Sequence, residues 1–325
     1  MNVKNGNFYE YTFSVEVPFI SCYLVQRFSR NTPRRKRGMN LSRLLKRGGL
    51  RPSWEFTTQG DIWRLHPASG GRLVGEERDA VRKAVSFFCL DLTAGKPLWS
   101  GRNFGEPWWT GIEAVHDETV ILHGFATPDL PEHRGVAAVD LATGDLLWQD
   151  AAIAYWGAAG DCVYAGRVAR GGMISEEIEI RTGRVVRELG SGDEGRRLVP
   201  PRQESIPADV LFPSHLPEGI SGTSPMSVLL REATGNVDVT GPAEYIEQHQ
   251  RVVFSYYERG KDFTEQRPVL ASRIGVVDAS SRRMRGTMVL DHAVVVPIPD
   301  TFLMRDGVFY AVRERKTLSA VRLFP

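Results

Sequence analysis

At 325 residues, with 42% hydrophobic and 25% charged content, the chain is long enough for one large all-β domain or two ordinary ones. It has no apolar run near the ~20 residues that a membrane-spanning helix needs, so no membrane span is expected. The formal charge of +2 is unevenly spread: residues 1–51 hold 11 of the 41 basic residues and only 2 of the 39 acidic ones. The remainder is mildly acidic, which disfavours a nucleic-acid role for the folded body, because phosphate binding needs a basic face.

The first 51 residues read as a basic leader. The apolar stretch 15–25 is interrupted by Glu16, Pro18 and Ser21 and preceded by Glu10, so it lacks the form of a secretory signal and a cytoplasmic protein is expected. From Arg27 to Arg37 positive charge is concentrated without apolar periodicity, the mark of a solvated, disordered tail. An arm for an anionic membrane or nucleic acid is the competing reading. Met39 offers an alternative start, leaving open whether residues 1–38 belong to the natural protein, and 41–47 has the spacing of two amphipathic helical turns. The three cysteines, Cys22, Cys89 and Cys162, are far apart with no CxxC spacing, so they read as reduced thiols and not as a disulfide framework or a zinc site.

Strand patterning begins near Ser53, and a repeat emerges with it. Phe88-Cys-Leu-Asp-Leu-Thr-Ala-Gly-Lys-Pro-Leu-Trp99 and Ala137-Ala-Val-Asp-Leu-Ala-Thr-Gly-Asp-Leu-Leu-Trp148 keep Asp, Gly and Trp at identical spacing, 49 residues apart. A third copy, Glu177-Ile-Glu-Ile-Arg-Thr-Gly-Arg-Val-Val-Arg187, keeps Thr-Gly but has Glu179 for Asp and Arg187 for Trp. Weaker echoes end at Gly235 and Ser281. Each unit reads as a hairpin in which glycine takes the left-handed turn position and the preceding Asp accepts backbone N–H groups. The Trp on the outgoing strand then fills the space between neighbouring sheets.

The run from Ala138 to Trp148 resembles the Ala-x-Asp-x-x-Thr-Gly-x-x-x-Trp signature of quinoprotein-like (PQQ-type) β-propeller repeats. More broadly, 52–325 is similar to a bacterial quinoprotein-like domain family with no assigned function. The resemblance implies an all-β propeller of five or six four-stranded blades and says nothing of chemistry. Blades trace through 62–104, 108–148, 155–189, 245–289 and 294–324, while the Gly-, Pro- and Ser-rich stretch 190–240 reads as an irregular blade or a long inserted loop. The last run lacks a fourth strand. Residues 53–58 are expected to supply it, closing the ring with Trp54 in the place of Trp99 and Trp148.

The innermost strands of a propeller line its central funnel. Trp63, Trp108, Trp109, Tyr155, Trp156 and Tyr245 open such strands in this trace and together form a stacking collar for a planar or sugar-like ligand, against the competing account that they are inter-blade packing. Asp300 and the group Ser255-Tyr-Tyr257 also face the funnel in this reading. His116 and His123 flank a hairpin turn at Asp117-Glu118, but two histidines alone make a poor metal site, so no metal is expected. No nucleophile elbow or phosphate cradle is visible. The expected function is a non-catalytic propeller that binds an unknown small molecule or protein. The alternative is a quinone-cofactor-related oxidoreductase or another propeller enzyme, although the acidic and amide ligands of such a cofactor are not evident and no cofactor is indicated.

Overall fold

A computed structural model describes residues 20–21, 49–125, 132–200, 206–235, 237–259, 269–297 and 299–324. Most of the basic leader, Cys22 included, lies outside these residues. The described chain is mostly antiparallel strand. It begins with β1 (Ile20–Ser21) and β2 (Trp54–Thr57), followed by β3 (Asp61–Ala68), β4 (Arg72–Asp79), β5 (Ala84–Asp91) and β6 (Lys96–Arg102). Next come β7 (Thr110–His116), β8 (Thr119–Phe125), β9 (His133–Asp140) and β10 (Leu146–Asp150). Four more follow, β11 (Ile153–Ala159), β12 (Cys162–Ala169), β13 (Gly172–Glu179) and β14 (Val185–Ser191), and then helix α1 (Gly192–Arg197). Short strands β15 (Val210–Leu211) and β16 (Ser214–Leu216) precede a 3-10 turn at Gly219–Ser221 and helix α2 (Pro225–Thr234). The chain ends with β17 (Val239–Gln248), β18 (Arg251–Arg259), β19 (Leu270–Asp278), β20 (Arg283–Val294), β21 (Phe302–Arg305), β22 (Val308–Arg313) and β23 (Thr317–Arg322).

These strands form five sheets of four or five, ordered β1-β3-β4-β5-β6, β10-β9-β8-β7, β11-β12-β13-β14, β15-β21-β22-β23-β2 and β16-β17-β18-β19-β20. The amino-terminal β2 pairs with the carboxyl-terminal β23, Trp54 opposite Ala320 and Thr57 opposite Thr317, as the missing fourth strand required. In the inner strands the apolar residues come as near-continuous buried runs, as in β5, β8 and β18. One hydrophobic cluster joins β3–β6 to β21–β23, a second joins β3–β6 to β7–β10, a third joins β17–β20 to β21–β23, and a fourth joins β7–β10 to β11–β14. The packing order is thus β11–β14, β7–β10, β3–β6, β21–β23 with β2, then β17–β20.

The tryptophans that mark the repeat make one recurring contact. Trp54 donates from Nε1 to the Leu92 carbonyl at 3.1 Å, Trp99 to Leu141 at 2.9 Å, and Trp148 to Ile180 at 2.8 Å. Each indole also covers the turn glycine of the next sheet. A Cβ at Gly95, Gly144 or Gly183 would lie 2.3, 2.6 or 2.7 Å from that ring, and all three have positive φ. In the first two turns the Asp carboxylate accepts two backbone N–H groups, from Thr93 and Ala94 to Asp91 and from Ala142 and Thr143 to Asp140. The third copy has no Trp at its outgoing end, where Arg187 instead bonds Glu177 within its own sheet. The contact therefore stops at β11–β14.

Two expectations change. The echo ending at Gly235 is not a hairpin but helix α2, with Ser224 as N-cap, Pro225 in the first turn and Gly235 as C-cap at φ +64°. Met226, Leu229, Leu230 and Ala233 recur at helical spacing, and this face packs on Val252, Phe254 and Tyr256. The stretch 190–240 is neither a blade nor a plain loop, since it gives β15 and β16 to the edges of two different sheets and covers β17–β20 with α2. Among the described residues, no hydrophobic cluster joins β11–β14 to β17–β20. No described helix is long and apolar enough to cross a membrane, and Cys89 and Cys162 are free thiols.

Candidate ligand-binding site

The first strands of four sheets carry a bulge near their start. In β3, β7 and β11 the residues left out of register are Trp63, Glu113 and Trp156, and β17 is irregular between Thr240 and Glu244. A bulge twists the strand and re-aims a side chain, which explains how polar and aromatic groups come to project from these edges.

The β17 irregularity delivers Glu244. This buried carboxylate lies opposite His215 of β16 and Ser255 of β18. Its Oε1 accepts the Asp300 N–H at 2.6 Å and lies 3.2 Å from His215 Nδ1. Its Oε2 accepts the Thr301 N–H at 3.2 Å, the Thr301 hydroxyl at 3.0 Å and the Ser255 hydroxyl at 3.2 Å. A buried carboxylate without such donors would cost several kcal/mol, so Glu244 fixes the approach to β21. The constraint holds Asp300 at φ +55°, a left-handed conformation that Asp tolerates better than most residues. The Asp300 carboxyl is pushed up to about 6, first by burial and then by the Glu244 charge, with His215 acting in the opposite direction.

Beside Asp300 opens a cleft of about 560 Å³, open solvent included. It is lined by the apolar Ile62, Leu290, Val294 and Val312 and by the polar Tyr257, Ser272, Asp291, Asp300, Thr301 and Arg315. Arg315 is drawn off toward Asp61, with Nη2 to Oδ2 at 2.7 Å. Of the groups Ser255-Tyr-Tyr257 and Asp300-Thr-Phe-Leu that the sequence singled out, Tyr257 on β18 and Asp300 and Thr301 ahead of β21 line this cleft, whereas Tyr256 packs in the cluster under α2 and Phe302 in that between β17–β20 and β21–β23. His215 and Glu244 were missed. A histidine in a three-residue edge strand leaves no periodic signal, and Glu244 sits in a strand whose alternation is broken by its own bulge.

The aromatic collar is distributed differently. Trp108 and Trp109 precede β7 instead of opening it. Arg78 lies 5.7 Å from the Trp63 ring and 5.0 Å from the Trp108 ring, and Lys83 lies 4.7 Å from the latter. Arg78 also donates to the carbonyls of Trp108 at 2.8 Å and Thr110 at 2.6 Å. Trp109 stacks edge-on with Trp108 and with Phe125. Tyr155 is buried in the cluster between β7–β10 and β11–β14, Trp156 carries the Arg196 guanidinium at 4.0 Å, and Tyr245 packs in the cluster under α2. His116 and His123 do not meet, since His116 pairs with Thr119 and His123 with Gly111 at the other end of the same hairpin.

No curated protein matches this sequence at a significant level. Among solved structures it is similar to a DUF4221-family member from Bacteroides vulgatus, with 8% identity over 84% of this chain and 97% of that one and a TM-score of 0.31. An uncharacterised protein from Listeria monocytogenes has 7% identity over 81% of this chain and 95% of that one, at 0.30. An exo-1,5-α-L-arabinanase from a bovine ruminal metagenomic library has 9% identity over 82% and 94%, at 0.25. TM-scores of this size carry no argument about function. Residues 68–148, from the end of β3 to the Trp148 of β10, match the domain of unknown function DUF4905.

Proposed function

We propose that residues 52–325 form a non-catalytic, ligand-binding β-propeller, with the basic segment 1–51 as an arm outside it, and that the ligand is a small molecule with an amine or other strong donor and an apolar body. The five sheets serve as blades, β2 completes the blade of β21–β23, and the segment carrying α1 and α2 fills the sector between β11–β14 and β17–β20.

The observation that carries the ligand reading is the cleft beside Asp300, lined by apolar residues from three sheets together with the carboxyl-bearing Asp291 and Asp300, while the Arg315 guanidinium in the same lining is engaged by Asp61. Such a concave apolar site with a few convergent polar groups is the usual form of a small-molecule pocket. A binding role suits it better than catalysis because the Ser255 and Thr301 hydroxyls are spent as donors to Glu244. A thermal-shift panel of primary amines, polyamines, neutral sugars and organic acids tests the reading. Amines should stabilise the wild type and not Asp300→Asn or Tyr257→Phe. Stabilisation by organic acids, or by no class at all, would contradict it.

A further inference from the structure

The sheet β7–β10 holds a second polar group, on other elements than the Asp300 cleft. Glu113 is buried at the β7 bulge, His123 lies on β8 opposite Gly111, and His133 opens β9 opposite Phe125. The ligating atoms of the three lie within 4.8 Å of one another. His133 Nδ1 is 2.7 Å from Glu113 Oε2, and the imidazoles of His123 and His133 stack with centroids 3.5 Å apart. Phe125 closes over both rings edge-on, at 5.0 and 5.3 Å.

Three features exceed what packing requires. First, the His123 ring is buried on β8 with the His133 imidazole stacked on it. Its Nδ1 lies 3.2 Å from the Gly124 carbonyl. With Nδ1–H donating there, the tautomer leaves Nε2 as the lone-pair nitrogen, the arrangement that orients metal-binding histidines. Second, the backbone approaches that nitrogen more closely than a side chain there would allow. A Cβ at Gly111 would lie 2.9 Å from His123 Nε2 and 3.1 Å from Glu76 Oε2, yet Gly111 has no positive φ that would demand glycine. Third, His133 is 39% exposed, which gives an entry path and room for a further ligand.

We propose that Glu113, His123 and His133 bind a divalent first-row transition ion of the zinc class through two imidazole nitrogens and one carboxylate oxygen. Calcium and magnesium prefer all-oxygen sets, whereas imidazole with carboxylate suits zinc and its neighbours. Binding exchanges the His133–Glu113 hydrogen bond for metal bonds and tilts the imidazoles out of their stack, because each lone pair lies in its ring plane.

The test uses the full chain without a histidine tag, stripped with chelator and titrated calorimetrically with zinc sulfate, with bound metal measured after dialysis. Wild type should take up one equivalent at this group. Glu113→Gln and His133→Ala should each weaken binding by ~10-fold or more, and Gly111→Ala should weaken it by crowding His123 Nε2. His215→Ala, at the other carboxylate group, should retain the equivalent. Circular dichroism checks folding, and Glu113→Gln carries the test should His133→Ala fail to fold. With cobalt instead of zinc, the visible absorption of the wild-type complex should change in Glu113→Gln. Absence of stoichiometric zinc uptake, uptake unchanged in both Glu113→Gln and His133→Ala, or uptake abolished by His215→Ala would overturn the proposal.

Discussion

Trp54, Trp99 and Trp148 each couple two sheets through one hydrogen bond and one ring face laid on a glycine turn. The coupling predicts a specific asymmetry between glycines. Gly101 and Gly144 both have positive φ, +68° and +72°, but a Cβ at Gly101 meets nothing within 4 Å while one at Gly144 meets Trp99 at 2.6 Å. Alanine at either position is strained by roughly 1–2 kcal/mol, and only at Gly144 does overpacking add about 1–3 kcal/mol more. Urea unfolding of the two variants should show the difference, and equal losses would remove the indole from the turn. Trp99→Phe, which keeps a ring but leaves the Leu141 carbonyl without this donor, should cost on the order of 1–3 kcal/mol by the same measurement. Asp300 makes a pH prediction. Its carboxyl is raised above the unfolded value, so between about pH 4 and 6 the unfolded chain loses a proton that the folded chain retains, and stability falls as pH rises through that window. The melting midpoint of the wild type should exceed that of Asp300→Asn by less at pH 7.5 than at pH 4.5, or fall below it. A difference independent of pH would contradict the raised carboxyl.

At the scale of elements, α2 explains both what the sequence disclosed and what it concealed. Its stretch contains Ala-Thr-Gly, the same letters as a hairpin turn, but Ser224-Pro225 before it and the 226, 229, 230 and 233 spacing within it satisfy a helix from both ends. Local turn chemistry was outvoted by apolar periodicity over ten residues. Ser224 Oγ accepts the Ser227 N–H at 3.1 Å, so Ser224→Ala should destabilise the protein by about 1 kcal/mol in urea titration. No loss there would argue against the cap. The strands around the repeat were legible because Asp, Gly and Trp each perform a distinct physical task at fixed spacing. Edge strands of two or three residues, β15 and β16, were not, because no alternation can be read over so short a run. The candidate site was half legible for the same reason: Tyr257 and Asp300 stand in recognisable polar-aromatic groups, whereas His215 and Glu244 acquire meaning only when β16 is laid beside β17.

On the scale of the whole molecule, the packing order of the sheets is a chain with ends at β11–β14 and β17–β20, and the pairing of β2 with β23 is its most distant link in sequence. Tryptophan contacts run from β2 through β6 and β10 and end where the third copy has Arg187, at the border of the segment that carries the two helices. The proposed propeller, with one sector helical, makes closure by β2 its central claim. Thr57 and Thr317 face each other on the exposed rim of that pair with their hydroxyls 3.0 Å apart, 260 residues apart in sequence. Replacing both with cysteine offers a direct measurement, and Cys89 should not interfere, because burial pushes its thiol up to about 12. If β2 seals the molecule, the Thr57→Cys/Thr317→Cys disulfide should form quantitatively on mild oxidation and raise the unfolding free energy, by up to ~5 kcal/mol from loop closure, reversibly with reductant. A pair that stays reduced, or an oxidised protein no more stable than the reduced one, would contradict the account.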